Sequence, residues 1–352
     1  DLVEALSNLD YPAAKLEVAI ILEEDDRETR AAAARLALPP FMRIIVVPDR
    51  QPRTKPKALD MALALTRGDV VAVYDAEDVP DRDQLRRAAQ RLGPLGGRHH
   101  CAQARLSIHN AKQSWLTRHF TLEYAALFQA LLPGLVRLGL PVPLSGTSNH
   151  FPRRVLDAEP WDPFNVTEDA DLGIRLARRG GRIGLIDSDT WEEAPYRFGQ
   201  WLPQRTRWIK GWMQTWLVHT REPFRLLREL GPWRTFGFHA LIGGFLVSVL
   251  SYPIMLAALI IELCRTTPFE TVPGSLHHIA MTIALTDAGI GFAAAIVMLV
   301  IGARRARLQD IAGNIFTAPV YWLLISVAGW RALVQLIHKP HLWEKTEHHA
   351  RR

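Results

Sequence analysis

Long apolar segments in the last third of the chain constrain its fold more than any other feature. Residues 236–263 and 279–301 carry almost no charge, and each is longer than the roughly 20 apolar residues that a helix needs to cross a bilayer. A third segment, residues 315–337, is of similar length but contains Arg331 and Pro319. Because charge inside a bilayer is costly, the first two segments predict membrane spans, and the third is either a span or an interfacial helix.

Basic residues around these segments predict the orientation of the chain. Arginines precede the first span and follow the second, whereas the linker between the spans has no such excess. The positive-inside rule therefore places residues 1–235 and 304–314 in the cytoplasm, with residues 218–235 as an interfacial linker. The tail, residues 338–352, is also basic. We expect it to stay cytosolic because the third segment lies at the interface or re-enters.

The part of the chain before the spans reads as a folded α/β domain. Hydrophobic residues make up 48% of the chain and charged residues 22%, which excludes a disordered protein. Two cysteines, Cys101 and Cys264, exclude a disulfide scaffold and a multi-cysteine zinc site. Short β-branched runs alternate with helical stretches, which predicts a largely parallel sheet. The predicted strands are residues 16–22, 42–47, 69–74, 101–108 and 182–187.

A first candidate site is the acidic turn Asp75-Ala76-Glu77-Asp78, directly after a predicted strand. Ligands bind beyond the carboxyl ends of strands in such folds. Carboxylates two residues apart can hold one divalent cation, and hard oxygen ligands suit Mg²⁺ or Mn²⁺. The cation would bridge the two phosphates of a nucleotide-sugar and neutralise the leaving diphosphate. A solvated acidic turn is the alternative.

A second candidate is Thr167-Glu168-Asp169, at the start of a predicted helix. A threonine cap followed by acidic residues is also what the first turn of a helix favours, so a purely structural role remains open. As a functional group, a carboxylate here could act as a general base that takes a proton from an acceptor hydroxyl.

A third candidate is the stretch Gln204-Arg205-Thr206-Arg207-Trp208, where Gln204, Arg207 and Trp208 share one helical face. Arginine offers a planar fork for phosphate, and tryptophan offers a flat surface for a sugar ring. Tryptophan and arginine are also favoured where a helix rests at a membrane interface, so both interpretations stay open.

Charged residues near the first two predicted strands form a further candidate. The cluster Glu23 to Asp26 could accept hydrogen bonds from a nucleobase or ribose, and Lys55 and Lys57 could meet phosphate. Taken alone, an exposed charge run is the better-supported interpretation of both groups. Nucleic acid is a poor partner for this chain, because its basic residues are interleaved with acids or lie beside the membrane segments.

The order of these motifs resembles that of processive family 2 glycosyltransferases, in the membrane-embedded bacterial cellulose-synthase-like branch. Residues 144–150, 161–169 and 192–195 are similar to signatures of that branch, and the resemblance covers nearly the whole chain. It implies that residues 1–217 form a GT-A domain, a nucleotide-sugar-binding α/β fold with a Rossmann-like mixed sheet. The membrane region, residues 236–337, would anchor it in the bacterial inner membrane.

The resemblance also implies a role for each candidate residue. Asp75 and Glu77 match the metal-binding pair, for Mg²⁺ or Mn²⁺, and Asp169 matches the catalytic base with Glu168 beside it. The implied substrate-binding residues are Gln204, Arg207 and Trp208 for the diphosphate and acceptor sugar, Asp25 for uridine, and Lys57 for the nucleotide.

Several features depart from the family pattern. The second metal position is Glu77 rather than aspartate, so Asp78 could share its role. Family members begin with a strand ending in Pro-x-Tyr-x-Glu, preceded by further membrane helices, and neither stands before Asp1. We therefore expect an N-terminally truncated fragment that lacks the first strand. The tail around Lys345 and Thr346 looks like a gating loop that closes over the nucleotide.

The expected function is inverting transfer of a sugar, from a UDP-sugar, to a growing β-linked polysaccharide at the inner membrane. The partners would be the nucleotide-sugar donor, a glycan or glycolipid acceptor, and membrane lipid. One alternative is a non-processive glycosyltransferase acting on a lipid acceptor, which product length would distinguish. Another is a transporter or scaffold with an inert α/β domain, which predicts no metal-dependent binding of a nucleotide-sugar.

Overall fold

Strands and helices alternate up to residue 192, and helices follow from there. The computed structural model describes residues 2–94, 97–265 and 274–340. The strands are β1 (Val18–Glu23), β2 (Met42–Val47), β3 (Val70–Val73), β4 (Val79–Pro80), β5 (Cys101–Ile108), β6 (Asn149–Pro152) and β7 (Ile183–Glu192). The helices before β7 are α1 (Leu2–Ser7), α2 (Arg27–Ala33), α3 (Lys55–Leu65), α4 (Gln84–Leu92), α5 (Trp115–Ala126), α6 (Leu132–Arg137), α7 (Arg153–Ala158) and α8 (Glu168–Arg178). The helices after it are α9 (Phe198–Thr220), α10 (Pro223–Phe238), α11 (Gly244–Leu263), α12 (Leu276–Arg305) and α13 (Ala318–His338).

The strands form a mixed arrangement, so the expectation of a largely parallel sheet is wrong. The main sheet has the order β3-β6-β5-β7-β4. Only β5 and β7 pair in parallel there, while β6 runs antiparallel to both of its neighbours. Strands β1 and β2 form a separate parallel pair. The sequence pattern missed β6 because this strand is four residues long and ends in proline.

The core of the domain lies between the main sheet and the helices that follow. Its largest fully buried side chains include Phe120 on α5, Phe151 on β6, Leu172 on α8 and Trp201 on α9. Burying each such side chain stabilises the fold by about 1.5–3 kcal/mol. The sheet, α8 and α9 therefore share one core, which fixes the helix starts relative to the strand ends.

Three helical stretches are long and apolar enough to cross a membrane: Pro223–Leu263, Leu276–Arg305 and Gln309–His338. They contain the three predicted segments, and the predicted linker of residues 218–235 is mostly helix α10. Helix α13 packs along α9 and against α11. A methyl group at Gly329 would overlap Val249, so the glycine permits the close approach of α13 to α11. Lys345 and Thr346, the predicted gating loop, lie outside the described residues.

Candidate active site

The acidic turn after β3 is held rigid by Asp78. This side chain is fully buried, and one of its oxygens accepts hydrogen bonds from the Asp75 backbone N–H, at 2.7 Å, and from the Thr147 hydroxyl. Burial and the nearby Asp75 carboxylate raise the pKa of Asp78 to about 8. Asp78 thus points inward and shapes the turn, while Asp75 and Glu77 remain partly exposed.

Three charged side chains lie close together beside Gly146. A methyl group added at Gly146 would lie 3.5 Å from Asp169 Oδ2, 3.9 Å from Lys55 Nζ and 4.0 Å from Asp75 Oδ2. The Lys55 ammonium pairs with Asp75 and donates a hydrogen bond of 2.7 Å to the Gly146 carbonyl. Next in the loop, Ser148 has a φ of 58° and donates its N–H to Val73 O at 2.7 Å. The strained loop therefore lies against the end of β3 and leaves open the space between the two carboxylates.

Glu168 and Asp169 occupy the first turn of α8 and are among the most shielded acidic groups of the domain. Burial, together with the adjacent Asp169 carboxylate, raises the pKa of Glu168 to about 7. Burial also raises the pKa of Asp169, against the opposite influence of Lys55 and Arg207. A carboxylate with a raised pKa is a better proton acceptor than an exposed one, so this turn is suited to general-base chemistry.

Ion pairs hold α8 in place from its far side. Arg178 Nη1 donates to His219 Nδ1 at 2.9 Å, so His219 must carry its proton on Nε2 and donate it to Asp171 at 3.0 Å. Arg175 also binds Asp171, at 2.7 Å. This network ties α8 to the C-terminal end of α9 and limits the movement of the catalytic turn.

Helix α9 completes the site. Its Gly211 packs so closely on Thr167 that a methyl group there would overlap the threonine side chain. Arg207 faces Glu168, Asp169 and Asp75, although its own burial lowers its pKa. Among the described residues, Gln204 Oε1 and Arg207 Nε are buried without a hydrogen-bond partner. Buried polar atoms rarely stay unsatisfied in proteins, so these two are suited to binding a polar ligand.

Trp208 is partly buried next to this face. The Arg205 guanidinium lies 4.9 Å from the centre of its ring, and the Phe120 ring lies 6.0 Å away. These contacts fix the indole beside the site.

The structure places Asp25 and Lys57 elsewhere, at the carboxyl ends of β1 and β2. Asp25 pairs with Arg53 at 2.8 Å, and Lys57 donates to the Arg50 carbonyl at 3.0 Å and lies 3.6 Å from Glu23. Their predicted contacts with the nucleotide therefore remain predictions about a second part of the site.

Two residues at the acidic edge were given no role by the family resemblance. Lys55, which the sequence offered beside Lys57 as a phosphate contact, is the lysine that reaches Asp75. Residues two positions apart on a helix point about 200° apart, so helical phase could have distinguished the two lysines. Glu192 ends β7, and its pKa is raised well above the usual range by burial and by the carboxylates of the acidic turn. The predicted strand stopped at residue 187, so no strand-end signal marked Glu192 in the sequence.

The residues at this edge fit a hard divalent cation. No three of the histidine, cysteine, aspartate and glutamate side chains in the described chain come together as a preformed metal site. Asp75 and Glu77 offer oxygen ligands, which Mg²⁺ and Mn²⁺ prefer. Magnesium is commonly held by one or two carboxylates plus substrate phosphates, which agrees with a pair of carboxylates rather than a complete set of protein ligands.

Comparisons with known proteins agree with this geometry. The family model for Glycosyl transferase family group 2 matches residues 70–304. The chain is 25% identical over 237 residues to the probable glycosyltransferase YdaM of Bacillus subtilis, which covers 64% of this chain and 55% of that protein. It is 31% identical over 227 residues to a beta-monoglucosyldiacylglycerol synthase of Synechocystis sp., which covers 62% of this chain and 46% of that protein. The chain thus spans about half the length of these relatives.

Among solved structures, the chain is similar to the mannosyltransferase PcManGT of Pyrobaculum calidifontis in complex with GDP-Man and Mn²⁺. The TM-score is 0.59 at 18% identity, and the match covers 95% of this chain and 81% of that one. The likeness confirms the predicted GT-A fold with apolar helices after the catalytic domain. The matches concern the family as a whole rather than the cellulose-synthase-like branch. With more than half of its residues matched by the family model, this chain belongs to glycosyl transferase family group 2.

Proposed function

We propose that this chain transfers a sugar with inversion from a UDP-sugar to an acceptor hydroxyl at the cytosolic face of the bacterial inner membrane. The observation that carries the proposal is the convergence of Asp75 and Asp169 beside Gly146, with Arg207 within electrostatic range of both carboxylates. One motif from each of three distant parts of the chain contributes to this space. An acidic turn or a helix cap with a purely structural role would not require the three to meet.

Each side chain has a distinct role in this mechanism. Asp75 and Glu77 would hold Mg²⁺ or Mn²⁺, which when bound would stabilise the negative charge of the departing nucleoside diphosphate. Arg207 faces the same space and adds a fixed positive charge for the leaving group. Lys55 pairs with Asp75. When the donor binds, the Lys55 ammonium would pair with a phosphate oxygen instead of the Asp75 carboxylate. These residues favour departure of the diphosphate.

Asp169 acts as the base. It lies across the open space from Asp75, next to Glu168, and takes the proton from the acceptor hydroxyl as the oxygen attacks the anomeric carbon. Attack from the face opposite the diphosphate turns an α-linked donor into a β-linked product. The pKa of Glu168 is about 7, so the protonation of Glu168 sets the total charge of the Glu168–Asp169 pair.

The acceptor that we propose is the end of a growing β-linked polysaccharide. Gln204 and Trp208 present an unsatisfied amide oxygen and an indole beside the catalytic pair, a combination that suits a sugar ring. Helix α9 carries both residues and packs along α13, which would let the product leave beside the membrane helices. A lipid acceptor is the second candidate, and the relative named as a glucosyldiacylglycerol synthase favours it.

The test is to incubate membranes containing the chain with a panel of UDP-sugars and GDP-mannose, in Mg²⁺ or Mn²⁺, and to size the products. Transfer from a UDP-sugar into a β-linked polymer is the expected result. A single sugar on a lipid would support the second candidate. If donor binding does not depend on the metal, the scaffold alternative is favoured and the proposed sugar transfer is contradicted.

The base assignment has its own variant pair. Asp169→Asn should abolish transfer while donor binding is retained, because it removes the proton acceptor but not the phosphate contacts. Asp157→Asn, at an exposed position on α7, should leave transfer unchanged. Undiminished turnover of Asp169→Asn would refute the base role.

A further inference from the structure

Arginines cluster at the end of the main sheet that lies opposite the catalytic edge. Four of them surround the start of β7: Arg91, Arg154, Arg182 and Arg234, referred to here as the arginine cluster. A methyl group at Gly184 would touch Arg91, and Arg234 Nη2 donates to the Gly181 carbonyl at 3.4 Å. His100 N donates to Arg182 O at 2.8 Å. Arg154 also lies near His100, because burial and the positive charge of Arg154 lower the pKa of His100.

None of these arginines has an acidic partner in the described part of the chain; Arg234 is half-buried, whereas Arg91, Arg154 and Arg182 are exposed. Across residues 2–94, 97–265 and 274–340, none of the four forms a salt bridge, whereas Arg175 and Arg205 each pair with carboxylates. Arg234 Nε and the neighbouring Thr235 Oγ1 are buried without a hydrogen-bond partner among the same residues. An anion would relieve both the repulsion between the arginines and the unsatisfied groups.

The arginine cluster lies where the chain enters the membrane region. Arg234 is on α10, in the helical stretch that runs on through α11 as a candidate span. Beside it, Trp233 is 53% exposed and Phe236 62% exposed, and Trp233 Nε1 donates to the carbonyl of the exposed Leu138 at 3.0 Å. Exposed aromatic residues next to basic residues at the start of a span are typical of the membrane interface.

We propose that the arginine cluster binds the phosphate of an anionic phospholipid in the cytosolic leaflet, with the acyl chains against Trp233 and Phe236. A free phosphate would satisfy the guanidinium groups equally, but it would leave the neighbouring apolar side chains in water. The adjacent apolar surface therefore favours a lipid over a soluble anion. This site is separate from the catalytic edge and does not depend on the identity of donor or acceptor.

The test uses the full chain purified in a neutral detergent and titrated with dioleoyl-phosphatidylglycerol, with binding followed by native mass spectrometry. Arg182→Gln/Arg234→Gln should weaken binding about fivefold for each arginine removed, or about 25-fold in all. A second variant, Arg154→Gln/Arg182→Gln, changes two exposed positions and should give a similar loss of binding. It serves as the test where the first variant folds poorly. The matched control is Arg27→Gln/Arg35→Gln, which removes the same charge from the first residue of α2 and from an exposed position just beyond its end.

The outcomes divide clearly. Tight binding of phosphatidylglycerol, weak binding of dioleoyl-phosphatidylcholine and an effect confined to the arginine cluster would support the proposal. Equal losses in the cluster variants and in the α2 control would overturn it, because net charge alone would then explain binding. Displacement of the lipid by millimolar inorganic phosphate would also overturn it, because the site would then bind a soluble anion.

Discussion

Removing Glu123 should destabilise the junction between the catalytic domain and the last membrane segment. Glu123 on α5 binds Arg205 on α9 through two hydrogen bonds, at 2.5 and 2.6 Å. Tyr321 on α13 donates to Glu123 at 2.8 Å and accepts from Arg205 at 3.1 Å. One ion pair thus joins three helices, and Glu123→Ala removes its negative partner.

The expected magnitude follows from the burial of the two partners. The Arg205 side chain is 7% exposed and that of Glu123 34% exposed. Removing one partner of a buried pair costs about 3–5 kcal/mol, because the remaining charge is left unpaired. Water already reaches Glu123, so we expect the lower end, about 3 kcal/mol. The aromatic rings of Phe120 and Trp208, 4.7 and 4.9 Å from the guanidinium, would still contact it.

Thermal unfolding in detergent measures this effect. A loss of about 3 kcal/mol corresponds to a fall of roughly 4 °C in the midpoint for a chain of this size. Glu123→Leu/Arg205→Met should recover most of the loss, because it removes both charges together. Glu222→Ala breaks an exposed pair with Arg225 and should change stability by less than about 1 kcal/mol. An unchanged midpoint for Glu123→Ala, or a double variant as unstable as the single one, would refute the reasoning.

Three further predictions concern the active site. Chelation of the metal should abolish transfer, and Mn²⁺ or Mg²⁺ should restore it. Asp75→Asn should raise the metal concentration for half-maximal activity more than tenfold. An unchanged metal concentration for half-maximal activity would exclude Asp75 as a ligand. Gly211→Ala should lose activity and about 1–3 kcal/mol of stability through overlap with Thr167, whereas Gly199→Ala on the same helix has free space and should match the parent in both assays. The raised pKa of Glu168, about 7, means that its contribution to stability is full at low pH and is lost as pH rises through 7. Glu168→Gln should therefore gain more in melting temperature at pH 8 than at pH 5.5, and an equal gain at both would contradict the burial argument.

The sequence pattern predicted the strands best where it shows either a dense apolar run or a strict alternation. The predicted bounds 42–47 and 101–108 agree with β2 and β5, because β2 is apolar except for Arg43 and β5 alternates apolar with polar residues. Strand β6 exists through pairing with β3 and β5, a long-range effect that no local pattern reports. Helix α10 covers most of the predicted linker, and it is interrupted at Gly231 and Pro232, where Gly231 has a φ of 75°.

The candidate site shows the same division between local and long-range information. Asp75 stood out because it follows a strand, Asp169 because it lies in the first turn of a helix, and Arg207 because it shares a helical face with Gln204 and Trp208. The choice between Lys55 and Lys57 depended on the rotation of α3, and the inward direction of Asp78 depended on Thr147 in a distant loop. The residue types indicated which chemistry the site could perform, whereas packing determined which of two nearby residues reaches the site.

Helix α9 links catalysis to the membrane because its opposite faces serve different partners. Gln204 and Arg207 face the catalytic edge, while Trp201 and Arg205 contact Tyr321 on α13. Farther along, Gln214 donates to the carbonyl of Pro340, at the end of α13, at 3.0 Å. A packed helix moves as a unit, so a shift of α13 would displace the residues that we propose to hold the leaving group and the acceptor. The position of the last membrane segment and the geometry of the proposed transfer are therefore expected to change together, through the contacts between α9 and α13.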